Sequence, residues 1–203
     1  MIINSKNVRL SQKTAWIFDM DGTLTIPIHD FVHIRQVLGV PEDGDIIEYM
    51  KSLSKDQYQF ARQKLDDIER GLAVKAQPAP GLHPFLEALS KEPNHLGIVT
   101  RNAQDIAIQT LEHIRCDQFF SPESIKGRDD AIPKPDPDGI NKLLTQWEKS
   151  ADEAVMVGNY IYDLQSGINA GTSTILIDFE EDYFWPEASD FMISSFVDLI
   201  PLI

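Results

Sequence analysis

The chain of 203 residues is poor in cysteine, in positive charge and in long apolar runs. Its single cysteine, Cys116, can form no internal disulfide, so a reducing cytoplasm is the expected setting. Nothing around Cys116 forms a motif, and it reads as a buried, inert thiol. Only 18 Lys and Arg stand against 32 Asp and Glu, a net charge of −14. A surface of that sign repels phosphate backbones and anionic bilayers, so neither nucleic acid nor membrane is an expected partner. A small anion can bind only where a local cation overrides that field. No stretch approaches the roughly 20 apolar residues that span a bilayer. Residues 1–16 hold no apolar segment of the kind a secretory leader needs. Internal repeats and low-complexity tracts are missing too, and a monomer is the default expectation.

What is present suits a globular protein: 42% hydrophobic and 25% charged residues. That supports a core of about 150 residues with a smaller insertion. The run Ala15-Trp16-Ile17-Phe18 stops abruptly at Asp19-Met20-Asp21-Gly22-Thr23, as a buried strand of a parallel sheet does at its end. Similar runs at 95–100, 154–157, 174–178 and 191–194 predict further strands. Helical periodicity falls between them, at 82–90, 103–114, 138–149 and 161–170. Asn102 is placed to cap the second of these helices, and Gly171 to stop the last. Alternating strands and helices predict a doubly wound, Rossmann-like α/β parallel sheet. The Phe119-Phe120 pair and Trp147 read as core. The acidic stretch 178–182 reads as a solvated loop.

Residues 26–78 break the alternation with helical patterns and no strand. Asp30 precedes one pattern, which Gly39 ends; Asp45 precedes a second; Ser54 with Gln57 forms a capping box ahead of a third. Lys75-Ala76-Gln77-Pro78-Ala79-Pro80-Gly81 reads as the returning linker. The expected division is therefore a core of residues 1–25 and 79–203 and an all-helical insertion at 26–78.

Ligands of open α/β sheets bind outside the carboxyl ends of the strands. The residues just past the predicted strands are Asp19, Asp21 and Gly22; Thr100, Arg101 and Asn102; and Gly158, Asn159 and Asp163. Lys134 lies on a proline-rich loop ahead of a helix. Carboxylates, a hydroxyl, a lysine and an amide gathered at one edge make a phosphoryl-transfer site with a metal.

The stretch Phe18-Asp19-Met20-Asp21-Gly22-Thr23-Leu24-Thr25 resembles the first signature of the haloacid dehalogenase superfamily. Thr100 after Gly97-Ile98-Val99, Lys134 in Pro-Lys-Pro-Asp-Pro, and Gly158-Asn159 with Asp163 resemble its second, third and fourth motifs. The insertion resembles the small helical cap of the phosphoglycolate-phosphatase-like branch. The resemblance implies a magnesium-dependent phosphatase acting on a small phosphate monoester. In that scheme Asp19 forms an aspartyl-phosphate and Asp21 is the general acid and base. Gly22, Thr100, Arg101, Asn102 and Lys134 bind the phosphate or the substrate, and Lys134 also orients Asp19. Asp19, Asp21 (through its carbonyl), Asn159 and Asp163 hold Mg2+. Asn159 departs from the family's usual Asp: its amide oxygen can ligate but brings no charge, which lowers affinity for the ion unless Asp163 compensates.

Arg101 and Asn102 have dull readings as well, a surface arginine and an N-cap. His29, Arg35, Lys55 and Arg62 of the insertion read as surface residues unless the closing face of the cap carries them. Two alternatives accompany hydrolysis: a phosphomutase acting on a sugar phosphate, and a degenerate, non-catalytic phosphate-binding protein. Dehalogenation needs no acid at Asp21, so that carboxylate favours phosphoryl chemistry.

Overall fold

The computed structural model describes residues 2–3 and 8–203. Residues 1 and 4–7, part of the stretch read as lacking a leader, lie outside the described residues. The described strands form one sheet of seven in the order β1-β7-β6-β5-β2-β3-β4. They are β1 (Ile2–Ile3), β2 (Ala15–Phe18), β3 (His95–Val99), β4 (Ile125–Lys126), β5 (Ala154–Gly158), β6 (Ser173–Ile177) and β7 (Phe191–Ile193). All run parallel except β1, which pairs antiparallel with β7. The sheet is thus the expected doubly wound α/β arrangement.

The central strand shows why these residues form it. Trp16 and Phe18 point to one face and Ala15 and Ile17 to the other, and all four are fully buried. On the first face lie α4 (Leu82–Leu89) and α5 (Gln104–His113), with Phe196 and Leu199 of the C-terminal segment. Trp16 and Phe85 meet edge to face, with ring centroids 5.4 Å apart, and Phe85 stacks on Phe196 at 5.1 Å. On the second face, Ile140, Leu143 and Leu144 of α6 (Asp138–Trp147) cover Ala15, Ile17 and Met156. The last core helix, α7 (Ile161–Ala170), ends at Gly171 in the left-handed conformation. Its Leu164 packs with Leu176 and Met192. Strands buried on both faces need continuous apolar sequence, and β2 and β5 have it. Cys116 is fully buried, and burial followed by the nearby Asp117 charge pushes its thiol up to about 12. Phe120 is buried, while Phe119 and Trp147 are only half-buried against the core edge.

The 26–78 segment carries α1 (Phe31–Leu38), α2 (Ile46–Lys51) and α3 (Lys55–Ala73). Asp30 and Asp45 cap the first two through their carboxylates, Gly39 ends α1 in the left-handed conformation, and Ser54 with Gln57 boxes α3. These helices close around a separate cluster of Ile34, Leu38, Val40, Met50, Ala61 and Leu65. The chain leaves and returns side by side. Thr25 bridges Pro78 antiparallel, and the Ile26 N–H donates to the Gln77 carbonyl at 2.9 Å. Among the described residues no helix is long and apolar enough to cross a membrane.

Candidate active site

Strand order reverses around β2: β3 and β4 lie to one side, β5, β6 and β7 to the other. The carboxyl ends of β2, β3 and β5 therefore frame one crevice, the place where open α/β sheets bind ligands. Asp19 leaves β2 into it. At Gly22 the chain swings away with φ 82°, a conformation that favours glycine. A β-carbon there would also strike the Asn159 side chain, so a glycine is required on two counts.

Lys134 joins two of the strand ends. Its Nζ stands 2.5 Å from Asp19 Oδ1 and 2.7 Å from Asp163 Oδ1. All three groups are buried. Burial works against the Lys134 charge, but Asp163 and Asp19 outweigh it and hold the ammonium above its ordinary range. Burial also lifts the Asp19 carboxyl, against the pull of Lys134, and pushes Asp163 up to about 6. The second oxygen of Asp163 accepts the backbone N–H groups of Asn159 and Tyr160 at 3.1 and 3.0 Å. Asp163 thus orients Lys134 and the turn after β5.

Asp21 is held by two neighbours. Asn102 Nδ2 donates to Asp21 Oδ2 at 2.7 Å, and His29 Nε2 lies 3.8 Å from Asp21 Oδ1. Burial raises this carboxyl, with His29 and the Asn102 bond working the other way. The N-cap expected of Asn102 is not formed: Ala103 precedes α5, and the Asn102 amide is spent on Asp21 instead. Thr100 follows β3, and its hydroxyl accepts the Asn102 backbone N–H at 3.1 Å. Arg101 reaches across to the 26–78 segment, where its Nη2 donates to both oxygens of Asp45 at 2.8 and 2.7 Å.

These residues line a cavity of about 400 Å3. Asp19, Asp21, Thr100, Arg101, Asn102, Lys134, Asn159 and Asp163, all expected at the site, border the same space. Gly22 adjoins it through its contact with Asn159. His29 and Arg35 also line the cavity; Arg62 instead pairs with Asp66 and Asp129, away from it, and Lys55 is exposed. Tyr160, Tyr162, Asp45 and Glu69, none of them a site candidate in the sequence, line it too. The two tyrosines had a faint signal, since they flank Ile161 within the fourth motif. Asp45 reads from sequence only as a helix cap.

Two buried carboxylates, Asp19 and Asp163, share the Lys134 ammonium, and Asp21, half-buried, adds a third carboxyl group to the same cavity. That excess of negative charge suits a small divalent cation, and the donors at hand are hard oxygens. They are the Asp19 carboxylate, the Asp21 main-chain carbonyl and the Asn159 amide oxygen, which accepts the Thr23 hydroxyl at 3.4 Å. Among the described residues no three His, Cys, Asp or Glu side chains are grouped as a metal cage, so an ion here would depend on main-chain and amide oxygens.

The profile of one family, haloacid dehalogenase-like hydrolase, matches residues 16–177. A haloacid dehalogenase-like hydrolase domain-containing protein of Arabidopsis thaliana is 33% identical over 95% of this chain and 82% of its own length. Pyrophosphatase PpaX of Halalkalibacterium halodurans is 26% identical over 92% of this chain and 95% of its own. Among solved structures, a haloacid dehalogenase-like hydrolase from Streptococcus pneumoniae superimposes with a TM-score of 0.72 at 23% identity, covering 94% of this chain and 98% of that one. CbbY from Rhodobacter sphaeroides, in complex with phosphate, does so with a TM-score of 0.71 at 17% identity, covering 92% and 96%.

Proposed function

Because the chain belongs to the haloacid dehalogenase-like hydrolase family, we propose that it is a phosphatase that hydrolyses a small phosphate monoester through an aspartyl-phosphate on Asp19. The observation that carries this reading is the buried Asp19–Lys134–Asp163 bridge at the end of the cavity, with Asp21 and Thr100 beside it. Asp19, just past the strand end, opens onto the cavity, where its carboxylate can meet phosphorus in line. The Lys134 ammonium and the Thr100 hydroxyl supply donors for phosphoryl oxygens. The activity for which PpaX is named, pyrophosphate hydrolysis, and the phosphate in the CbbY structure support a phosphoryl substrate.

Asp19 attacks phosphorus, the ester oxygen leaves, and a proton from the Asp21 carboxyl goes to that oxygen. Asp21, now a carboxylate, takes a proton from water, which attacks the aspartyl-phosphate and frees inorganic phosphate. Asn102 keeps Asp21 aimed during both steps. Asp19, the Asp21 carbonyl and Asn159 would hold Mg2+, and Asp163, whose oxygens are engaged by Lys134 and by the Asn159 and Tyr160 N–H groups, would support the ion through water. When bound, that ion neutralises phosphoryl oxygens as a Lewis acid. Residues 26–78 act as a cap over the core of 1–25 and 79–203, excluding bulk water from the reacting end.

The test is phosphate release from p-nitrophenyl phosphate with magnesium, against the same reaction with Asp19→Asn. Turnover that falls by about a thousandfold or more in the variant is expected. Equal rates in both proteins would refute the nucleophile.

A further inference from the structure

Away from Lys134, the wall of the cavity changes character. The cap side presents Phe31, Ile34, Ile46, Ile47 and Leu65, and the core side presents Tyr160 and Tyr162. Phe31 is 52% exposed and Tyr160 49% exposed. Both border this space, so apolar surface that folding leaves uncovered lies where a ligand would cover it. The tyrosine rings stand edge to face with centroids 5.1 Å apart, and Tyr160 meets Trp185 likewise at 5.3 Å. Ring against ring, the wall is firm.

Charge at this end cancels. Arg101 lies over the Tyr162 ring at 5.6 Å and is already held by both oxygens of Asp45. Asp45 is itself fixed, because it also accepts the Ile47 and Glu48 N–H groups as the cap of α2. Its carboxyl sits below the ordinary range: burial opposes this, but the bonds from Arg101 and from those N–H groups prevail. Arg128, beside Glu69, is also paired with Asp66 at 3.3 Å. Arg35 and Asp43 add one charge of each sign, and Arg35 Nε is tied to the Gly44 carbonyl at 3.1 Å. Arg101 is compensated by Asp45, Arg35 is bonded through Nε to a neutral carbonyl, and a second anion here would meet the Asp43 and Asp45 carboxylates on the same wall.

We propose that the leaving group accepted here is an uncharged alcohol with an aromatic face, not one that carries a carboxylate or a second phosphate. This rests on the phosphatase reading above, and it separates the chain from the activity named for the pyrophosphatase relative. The aromatic ring lies against Tyr160, Tyr162 and Phe31, while the phosphate sits at Lys134 and Thr100.

The experiment compares kcat/KM for benzyl phosphate, phosphoglycolate and pyrophosphate with magnesium. Benzyl alcohol and glycolate leave as alkoxides of similar basicity, so the ratio of these two esters reports the wall and not the bond. Benzyl phosphate is expected to lead by about tenfold or more. In Asp45→Asn, which keeps a good helix cap but frees Arg101, the ratio is expected to move toward phosphoglycolate by about tenfold. Parity of the two esters in the unaltered protein, or preference for phosphoglycolate or pyrophosphate, would overturn the proposal. Calorimetric binding to Asp19→Asn separates this from failure of the phosphatase reading. No turnover of any ester, with benzyl phosphate still bound more tightly than phosphoglycolate, sinks the hydrolysis and supports the aromatic wall. Tighter binding of phosphoglycolate overturns the wall whatever the turnover.

Discussion

Asn102 is engaged at both ends: its backbone N–H donates to the Thr100 hydroxyl and its side-chain amide to Asp21. A general acid works only when its proton lies on the line to the leaving oxygen, and the 2.7 Å bond to Asp21 Oδ2 fixes the plane of the carboxyl, whose Oδ1 has His29 Nε2 3.8 Å away. Asn102→Ala is therefore expected to slow alkyl phosphate hydrolysis by roughly 10- to 100-fold. Formation of the phospho-enzyme from p-nitrophenyl phosphate should lose far less, because nitrophenolate departs without a proton. Burst kinetics on the two esters measure this directly. Equal losses on both would show that Asn102 serves the phosphate or the fold and not Asp21. None of this is legible locally. An asparagine ahead of apolar periodicity has the pattern of a helix cap, and the carboxylate that claims it lies 81 residues away. Asp19, Thr100 and Lys134 are legible because each sits where a run of buried residues ends or where prolines frame a loop.

At the scale of elements, the best-read helices are those whose ends carry their own chemistry. Asp30 and Gly39 bracket α1, and Ser54 with Gln57 starts α3, where both sequence and structure put them. The edge strand Ile125–Lys126 escapes because two residues cannot show a period. The side of the insertion that closes on the core also escapes, since it is decided by contacts between distant segments. α3 makes those contacts through charge. Arg62 meets Asp129, Arg70 meets Asp105 at 2.5 Å, and Arg128 reaches Asp66 at 3.3 Å and Glu69. Glu69 is buried, and burial pushes its carboxyl up to about 8, with Arg128 pulling it down and Asp21 adding to the rise. A folded value above the ordinary 4.5 means that folding favours the protonated form. Its contribution to stability is fully present below about 4.5 and is lost as pH rises through about 8. Glu69→Gln, which cannot ionise, is expected to flatten the fall in stability across that window. Urea unfolding at a series of pH values reads it out, and parallel curves for the two proteins would show that Arg128 keeps Glu69 ionised throughout.

The whole molecule carries a charge of −14 and is asked to bind an anion. Sequence alone foresees the conflict, since the acidic balance is plain and the few cations are not placed. The structure supplies a local answer in Lys134, whose ammonium is buried between two carboxylates and so leaves the surroundings of the cavity negative. Approach of a phosphate ester is then opposed at long range and rewarded only at contact. The Debye length is about 10 Å at 0.1 M salt, so ionic strength screens the long-range repulsion and hardly touches the buried contacts. With free magnesium held constant, kcat/KM is expected to rise by about two- to threefold between roughly 10 and 150 mM potassium chloride. The rise should sit in KM, because the chemical step takes place inside the buried site. A fall over the same range would mean that the mouth of the cavity attracts anions, and that the metal and Lys134 together outweigh the acidic surface at a distance as well as at contact.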